Sequence, residues 1–335
     1  MLSIEDLESA CNASQRVDTP RHMVEPPELP FQATFYPFGF PAVITTNSGG
    51  VLKQYEELWG KFTKQHDTEP IRAEVQVVES NATECPPEPV YRYMQPLLMC
   101  VANADNYSIV DLECCHTKIV ISRAALHHRL YAQYFLLGAA ACCVATRYTT
   151  PVHAGCVALD GRGVLLCGDS GAGKSTLAYA CARAGWTYVS DDGSFLLNGG
   201  TRRLVAGDCY KVRFRPSAAE LFPEIAGLEI TPRAAGKPSI ELPTANMTHV
   251  ASAQTTRVDF IVFLNRRISS PPRLVPYRRD VARHFMRQVL YGPAELLAVQ
   301  YRAIERLLTA DVFELRYTDL NWAVDRLRAL VRDGR

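Results

Sequence analysis

Apolar positions along this chain switch between a two-residue and a three-to-four-residue period. The text FQATFYPFGFPAVITT, from Phe31 to Thr46, is β-branched and aromatic and predicts strands. From Val51 to Lys64, Leu52, Tyr55, Leu58, Trp59 and Phe62 fall at helical spacing. Strands are predicted at Ile71–Val78, Leu97–Ala102 and Ile109–Ile121, followed by one long helix from Ser122 to about Arg147. Within it, the seventeen residues from Leu130 to Thr146 carry no charge. That run falls short of the roughly 20 residues that cross a bilayer. A buried helix is the expectation.

After Thr149 the pattern changes. A strand around His153–Leu159, a turn at 160–163 and a strand at Val164–Cys167 precede a helix. Further strands are predicted at Tyr188–Ser190, Ser194–Leu197, Val212–Phe214, Phe260–Leu264 and Phe313–Tyr317. Helices are predicted at Arg278–Leu290, Ala294–Leu308 and from Leu320 to about Arg332. Strands alternating with helices imply an α/β layer with a sheet that is at least partly parallel. The expected organisation is a proline-rich lead-in (1–30), a smaller α+β domain (31–148) without a recognisable catalytic cluster, and an α/β domain (149–335).

Composition narrows the classes. Apolar residues make up 47% and charged residues 21%, the profile of a soluble globular protein. A net charge of +1 argues against bulk attraction to nucleic acid or membrane. That total hides an asymmetry: 11 basic and 17 acidic residues precede Thr149, and 25 and 18 follow from it. Eleven cysteines, with two vicinal pairs and no Cys-x-x-Cys, read as free thiols of a reducing compartment. Cys114-Cys115-His116 lacks the usual spacing of metal ligands. The opening MLSIEDLESA is acidic where a signal peptide is basic, so a cytoplasmic location is expected.

The most informative residues are Gly168-Asp169-Ser170-Gly171-Ala172-Gly173-Lys174-Ser175, followed by Thr176. They match G-x-x-x-x-G-K-[ST] between an apolar strand and a helix. Glycines let the backbone approach phosphate oxygens, and a helix start offers N–H groups and a positive dipole end. Lys174 is the expected phosphate ligand, and the Ser175 hydroxyl the expected Mg²⁺ ligand. After that helix, Trp186 to Ser190 reads as a strand ending in Asp191-Asp192. A descent of about 16 Å along the helix and a climb of about 16 Å along the strand return these carboxylates to the level of the loop. There they suit Mg²⁺ support or proton acceptance from an attacking hydroxyl; the plain alternative is a turn that closes a strand. His153, on the preceding strand, is either structural or a third member of the site.

Together His153-Ala154-Gly155, the loop and Asp191-Asp192 resemble the catalytic half of the HPr kinase/phosphorylase family, which phosphorylates a serine of a phosphocarrier protein. The intervals agree, 21 residues from His153 to Lys174 and 18 from Lys174 to Asp192. The resemblance implies a P-loop kinase fold for the second domain. It makes Asp192 the base, His153 an active-site neighbour, and Asp191 a helper that assists the metal or orients Asp192. It also suggests Glu224, in Pro223–Leu228, as a second Mg²⁺ ligand, although its spacing from the loop is longer than the family's. The run Arg233–Pro238 is similar to the family's dephosphorylation element but lacks its Pro-Gly-Arg, which leaves phosphorylase activity open. Ring-like self-assembly is a family property. The first domain does not match the family's own N-terminal domain, which leaves the identity of the substrate open.

The expected activity is therefore ATP- and Mg²⁺-dependent transfer of the γ-phosphoryl group to a serine of a protein or peptide, such as a phosphocarrier in carbohydrate regulation. A small-molecule kinase is the alternative enzyme, and an ATP-binding switch without transfer chemistry the alternative of another class. Lys211, Arg213 and Arg215 alternate along a predicted strand, where they face a nucleotide, an acidic partner or solvent.

Overall fold

Two large mixed sheets organise the residues described by this computed structural model, 27–81, 83–231, 238–266 and 271–334. The lead-in up to residue 26 and the run Arg233–Lys237 lie outside the described residues. The first sheet contains β1 (Phe31–Phe35), β2 (Ala42–Thr46), β3 (Ile71–Val78), β4 (Val90–Met94), β5 (Leu97–Asn103), β6 (Asn106–Asp111) and β7 (His116–Ser122). Their order is β1-β2-β3-β7-β6-β5-β4, and β3 runs parallel to both β2 and β7. Helix α1 (Gly49–Trp59) makes the crossover from β2 to β3. Its Ser48 side chain accepts from the Gly50 N–H, and Gly60 ends it earlier than periodicity predicts, glycine being a poor helix former.

Two expectations change in this part. The run Ile109–Ile121 is two strands, because the Asp111 carboxylate accepts from the N–H groups of Glu113 and Cys114 (both 2.9 Å) and turns the chain. The single helix from Ser122 to Arg147 is a chain of short α, π and 3-10 turns from Arg123 to Tyr148. Tyr55 Oη donates to the Leu137 carbonyl (3.0 Å) and Gln54 to that of Leu126 (2.7 Å), so α1 competes for carbonyls that an α-helical ladder would use. Both segments pack into the same apolar core on the sheet. Among the described residues no helix is long and apolar enough to cross a membrane.

The second sheet has ten strands. They are β8 (Thr149–Val152), β9 (Ala154–Leu159), β10 (Arg162–Cys167), β11 (Thr187–Ser190), β12 (Ser194–Leu197), β13 (Leu204–Gly207), β16 (Ala251–Ser252), β17 (Thr255–Asn265), β18 (Arg273–Pro276) and β19 (Asp311–Arg316). A separate ribbon pairs β14 (Lys211–Phe214) with β15 (Ile240–Pro243). The centre reads β11-β9-β10-β17-β19, in which β10, β17 and β19 are parallel and β9 is antiparallel to both neighbours. Alternation along β10 explains the layers. Val164 and Leu166 enter a core with α2 (Lys174–Arg183) and α5 (Leu320–Asp333), while Leu165 and Cys167 enter one built by α3 (Arg279–Arg287) and α4 (Ala294–Leu307). Burying each such leucine or valine contributes about 1.5–3 kcal/mol.

Helix α2 ends as its sequence predicts. The N–H groups of Gly185 and Trp186 reach the carbonyls of Ala182 (3.0 Å) and Cys181 (3.1 Å), which closes the helix and turns the chain into β11. The two halves meet through aromatic contacts, Phe38 on Phe195 at 4.2 Å and Phe62 on Tyr210 at 5.1 Å between ring centroids.

Candidate functional site

Strand register brings the sequence candidates together. In β9, Ala154 lies opposite Cys167 at the end of β10, and Cys156 opposite Ser190 at the end of β11. The glycine loop and the Asp191-Asp192 pair therefore leave the sheet at the end where β9 begins, one residue after His153. His153 occupies a bend between β8 and β9, not the strand predicted for it. The reason is that β8 pairs with β12 whereas β9 pairs with β10 and β11, so the chain changes neighbours at this residue. Gly155 makes the convergence possible: a Cβ there would lie 2.8 Å from the Asp191 carbonyl oxygen.

The loop itself depends on glycine. Gly168, Gly171 and Gly173 have φ of +150°, +88° and +97°, a region that side chains disfavour. Gly173 caps α2, and a Cβ on it would press on Arg266 and the Tyr317 hydroxyl at 3.2 Å each. Lys174 follows at the first helical position with its side chain only 3% exposed. Its Nζ lies 2.8 Å from the Gly168 carbonyl, 3.2 Å from that of Asp169, 2.8 Å from His153 Nε2 and 3.2 Å from Asp192 Oδ1. Since an ammonium only donates, His153 Nε2 accepts and its ring proton is assigned to Nδ1. Burial, and then the Lys174 charge, hold the His153 pKa below its usual value, which fits a neutral ring.

The two aspartates differ. Asp192 has a side chain 57% exposed and lies 3.6 Å from His153 Nε2. Asp191 turns inward, where its Oδ2 accepts from the Arg213 N–H at 2.9 Å and ties β14 to the end of β11. Burial raises its pKa to about 6, against the opposing pull of that N–H and the Arg213 guanidinium.

A cavity of about 650 Å³ opens over the loop. Ser170, Gly171, Gly173, Lys174, Ser175 and Thr176 form its floor, and both aspartates reach it. Arg213, Arg215 and Arg266 supply positive charge around it, and Arg213 is ion-paired with Glu241 at 3.2 Å. Lys211 and Arg213 share a face of β14 while Val212 and Phe214 are buried; Arg215 lies just past the strand and still lines the cavity. The donor set suits a polyphosphate: one buried ammonium, guanidinium groups, a helix start and a serine hydroxyl.

Glu224 is not brought to this cavity. Its Oε1 accepts from Tyr179 Oη (3.0 Å) and lies 3.2 Å from Arg183 Nε, on the second and third turns of α2. Arg266 escapes a reading of the sequence. It follows the carboxyl end of β17, a strand parallel to β10, and that position is its only signal.

Comparisons with known proteins give a structural likeness and no sequence match. No family model matches the sequence, and no curated protein matches it. Among solved structures the chain is similar to the Hpr(Ser) kinase/phosphatase from Coxiella burnetii. The identity is 16% and the TM-score 0.32, over 56% of this chain and 96% of that one.

Proposed function

We propose that this chain is a phosphotransferase that moves the γ-phosphoryl group of ATP to a serine hydroxyl of a protein or peptide. The observation that carries the reading is the meeting of Lys174, His153 and Asp192 within 3.6 Å of one another beside a cation-lined cavity over a glycine loop. A nucleotide switch needs the loop and the lysine; it does not need a solvent-reachable carboxylate beside them.

In this mechanism Gly168 to Thr176 cradle the phosphates, and Lys174 meets the β- and γ-oxygens. The Ser175 hydroxyl would hold Mg²⁺, which would supply additional neutralisation of phosphate charge. The acceptor oxygen attacks the γ-phosphorus in line. As its O–P bond forms, the bond from that phosphorus to the β–γ bridging oxygen breaks, and ADP leaves with the electron pair. The hydroxyl proton passes to Asp192, whose exposure leaves it open to an acceptor. Neutral His153 accepts a hydrogen bond from Lys174 and helps to hold it, and Asp191 anchors the turn that carries Asp192. Most of the acceleration is electrostatic and positional, with about 10²- to 10⁴-fold from the base.

Radiolabelled ATP with Mg²⁺, protein and cell extract tests the reading. Label on a protein or peptide supports it, label on a metabolite favours a small-molecule kinase, and ATP binding without label favours the switch. Asp192→Asn is expected to lose at least about 100-fold in transfer while keeping ATP affinity; undiminished transfer would remove Asp192 as the base.

A further inference from the structure

The Asp191-Asp192 turn lines two cavities. Besides the one over the loop there is a second, of about 410 Å³, that shares only Asp191, Asp192 and Arg213 with it. His153 opens into this second cavity, and Lys174 does not line it. An acceptor arriving there would meet Asp192, which also reaches the cavity over the loop, so that its hydroxyl would lie beside the base at the edge the two cavities share.

Its walls have two characters. Phe38, Pro151, Phe195 and Val289 form an apolar side, and Asp208 and Lys211 a polar one. Both cations facing it are matched, Lys211 by Asp208 at 3.8 Å and Arg213 by Glu241 at 3.2 Å. Three carboxylates, Asp191, Asp192 and Asp208, also face it. A phosphorylated or carboxylated acceptor would meet these without a surplus cation. A polyol would find acceptors in the carboxylates but would leave the apolar wall of Phe38, Pro151, Phe195 and Val289 without an apolar partner. A neutral hydroxyl with an apolar group beside it fits both walls, and the volume is within the range of ligand pockets.

Among the described residues, Phe38 is the wall's only contribution from the first sheet's half of the chain. It sits in the turn between β1 and β2 at φ +52°, a left-handed conformation that costs a non-glycine residue about 1–2 kcal/mol. The turn is fixed by the Gly39 N–H to the Tyr36 carbonyl (2.8 Å) and by the Gly39 carbonyl accepting from Gln65 and His66 (3.0 and 3.1 Å). Its ring is held against Phe195 and against Phe62 at 5.3 Å. A strained, braced aromatic at a cavity wall is the feature expected of a residue that selects a ligand.

We propose that this second cavity is the acceptor subsite, that it takes a peptide serine or threonine flanked by an apolar side chain, and that Phe38 and Val289 set that preference. The inference rests on the phosphotransferase reading. Its test uses the full chain, Mg²⁺, radiolabelled ATP and positional-scanning serine peptide libraries, with ATP affinity measured in parallel. Wild type is expected to favour leucine or phenylalanine over aspartate beside the serine by on the order of tenfold. Phe38→Ala is expected to erase that preference. Val289, 38% exposed, tolerates change, and Val289→Lys is expected to turn the preference toward acidic flanks. Labelled peptides with no apolar preference, or a preference unmoved by Val289→Lys, overturn the inference alone. With cell extract added, label that appears on a metabolite pool and not on peptides overturns the serine-transfer reading and the subsite with it. Failure to bind ATP at all overturns the phosphotransferase reading and the subsite with it.

Discussion

Replacing Asp191 with asparagine should make the protein more stable at neutral pH, by an amount that grows as pH rises. Burial lifts the pKa of this carboxyl from 3.8 to about 6 in the folded chain. The folded state therefore holds the proton more tightly than the unfolded state. The stability this proton binding contributes is complete below pH 3.8 and is lost as pH climbs through about 6. A shift of about two units at 1.36 kcal/mol each makes the loss about 3 kcal/mol above pH 7, and about half of that at pH 5. In Asp191→Asn the amide oxygen would still accept from the Arg213 N–H, 2.9 Å away in the wild type, without placing a charge there. Urea unfolding of both proteins at pH 5 and pH 7.5 measures the difference. The variant's advantage should widen by about 1–2 kcal/mol between the two. An advantage that shrinks with pH, or a variant less stable at pH 7.5, would mean that Arg213 outweighs burial and that the turn favours an ionised Asp191.

Other outcomes follow from the same geometry. Gly155→Ala puts a methyl 2.8 Å from the Asp191 carbonyl, so transfer should fall by up to about 100-fold with ATP affinity less affected; this is read as a kcat loss. Lys174→Ala should weaken ATP binding and transfer together, measured by calorimetry and label incorporation. Glu224→Gln should leave MgATP affinity within about twofold and lower thermal stability slightly, since Glu224 holds Tyr179 and Arg183. A chain starting at Thr149 keeps the second sheet whole and should still bind ATP. It should melt at a lower temperature, because Leu197 and Leu296 lose the first half's core and Phe195 loses Phe38.

Local patterns carry most of the elements. Ile71–Val78 reads correctly to the residue because β3 alternates cleanly, and the close of α2 at Gly185 follows from glycine chemistry. The glycine loop and the carboxylates beyond the next strand are legible because helix and strand lengths are matched over short sequence distances. Long-range competition is not. The broken segment from Arg123 to Tyr148 is decided by Tyr55 and Gln54, which lie some 70 to 80 residues earlier. Strand β4 escapes notice because it is exposed along its whole length and has no apolar period to betray it. Residue type marks His153 as a candidate, but its place at a change of strand partners depends on the pairings of β8 with β12 and of β9 with β11, 29 or more residues away. Phe38 carries no sequence signal beyond its place in a Tyr-Pro-Phe-Gly turn.

That change of partners has a consequence for how the chain tolerates length variation. Only the four residues of β8 separate the helical segment from His153, and all four are paired with β12. A strand advances in whole residues and turns over with each one. Inserting a single residue between Thr149 and Val152 would either slide β8 against β12 or aim the imidazole at the opposite face. The junction between the halves is therefore no spliceable hinge but a gear of fixed tooth count. Chimeras that exchange the first half should preserve the reading frame of this strand and place their seam upstream of Tyr148.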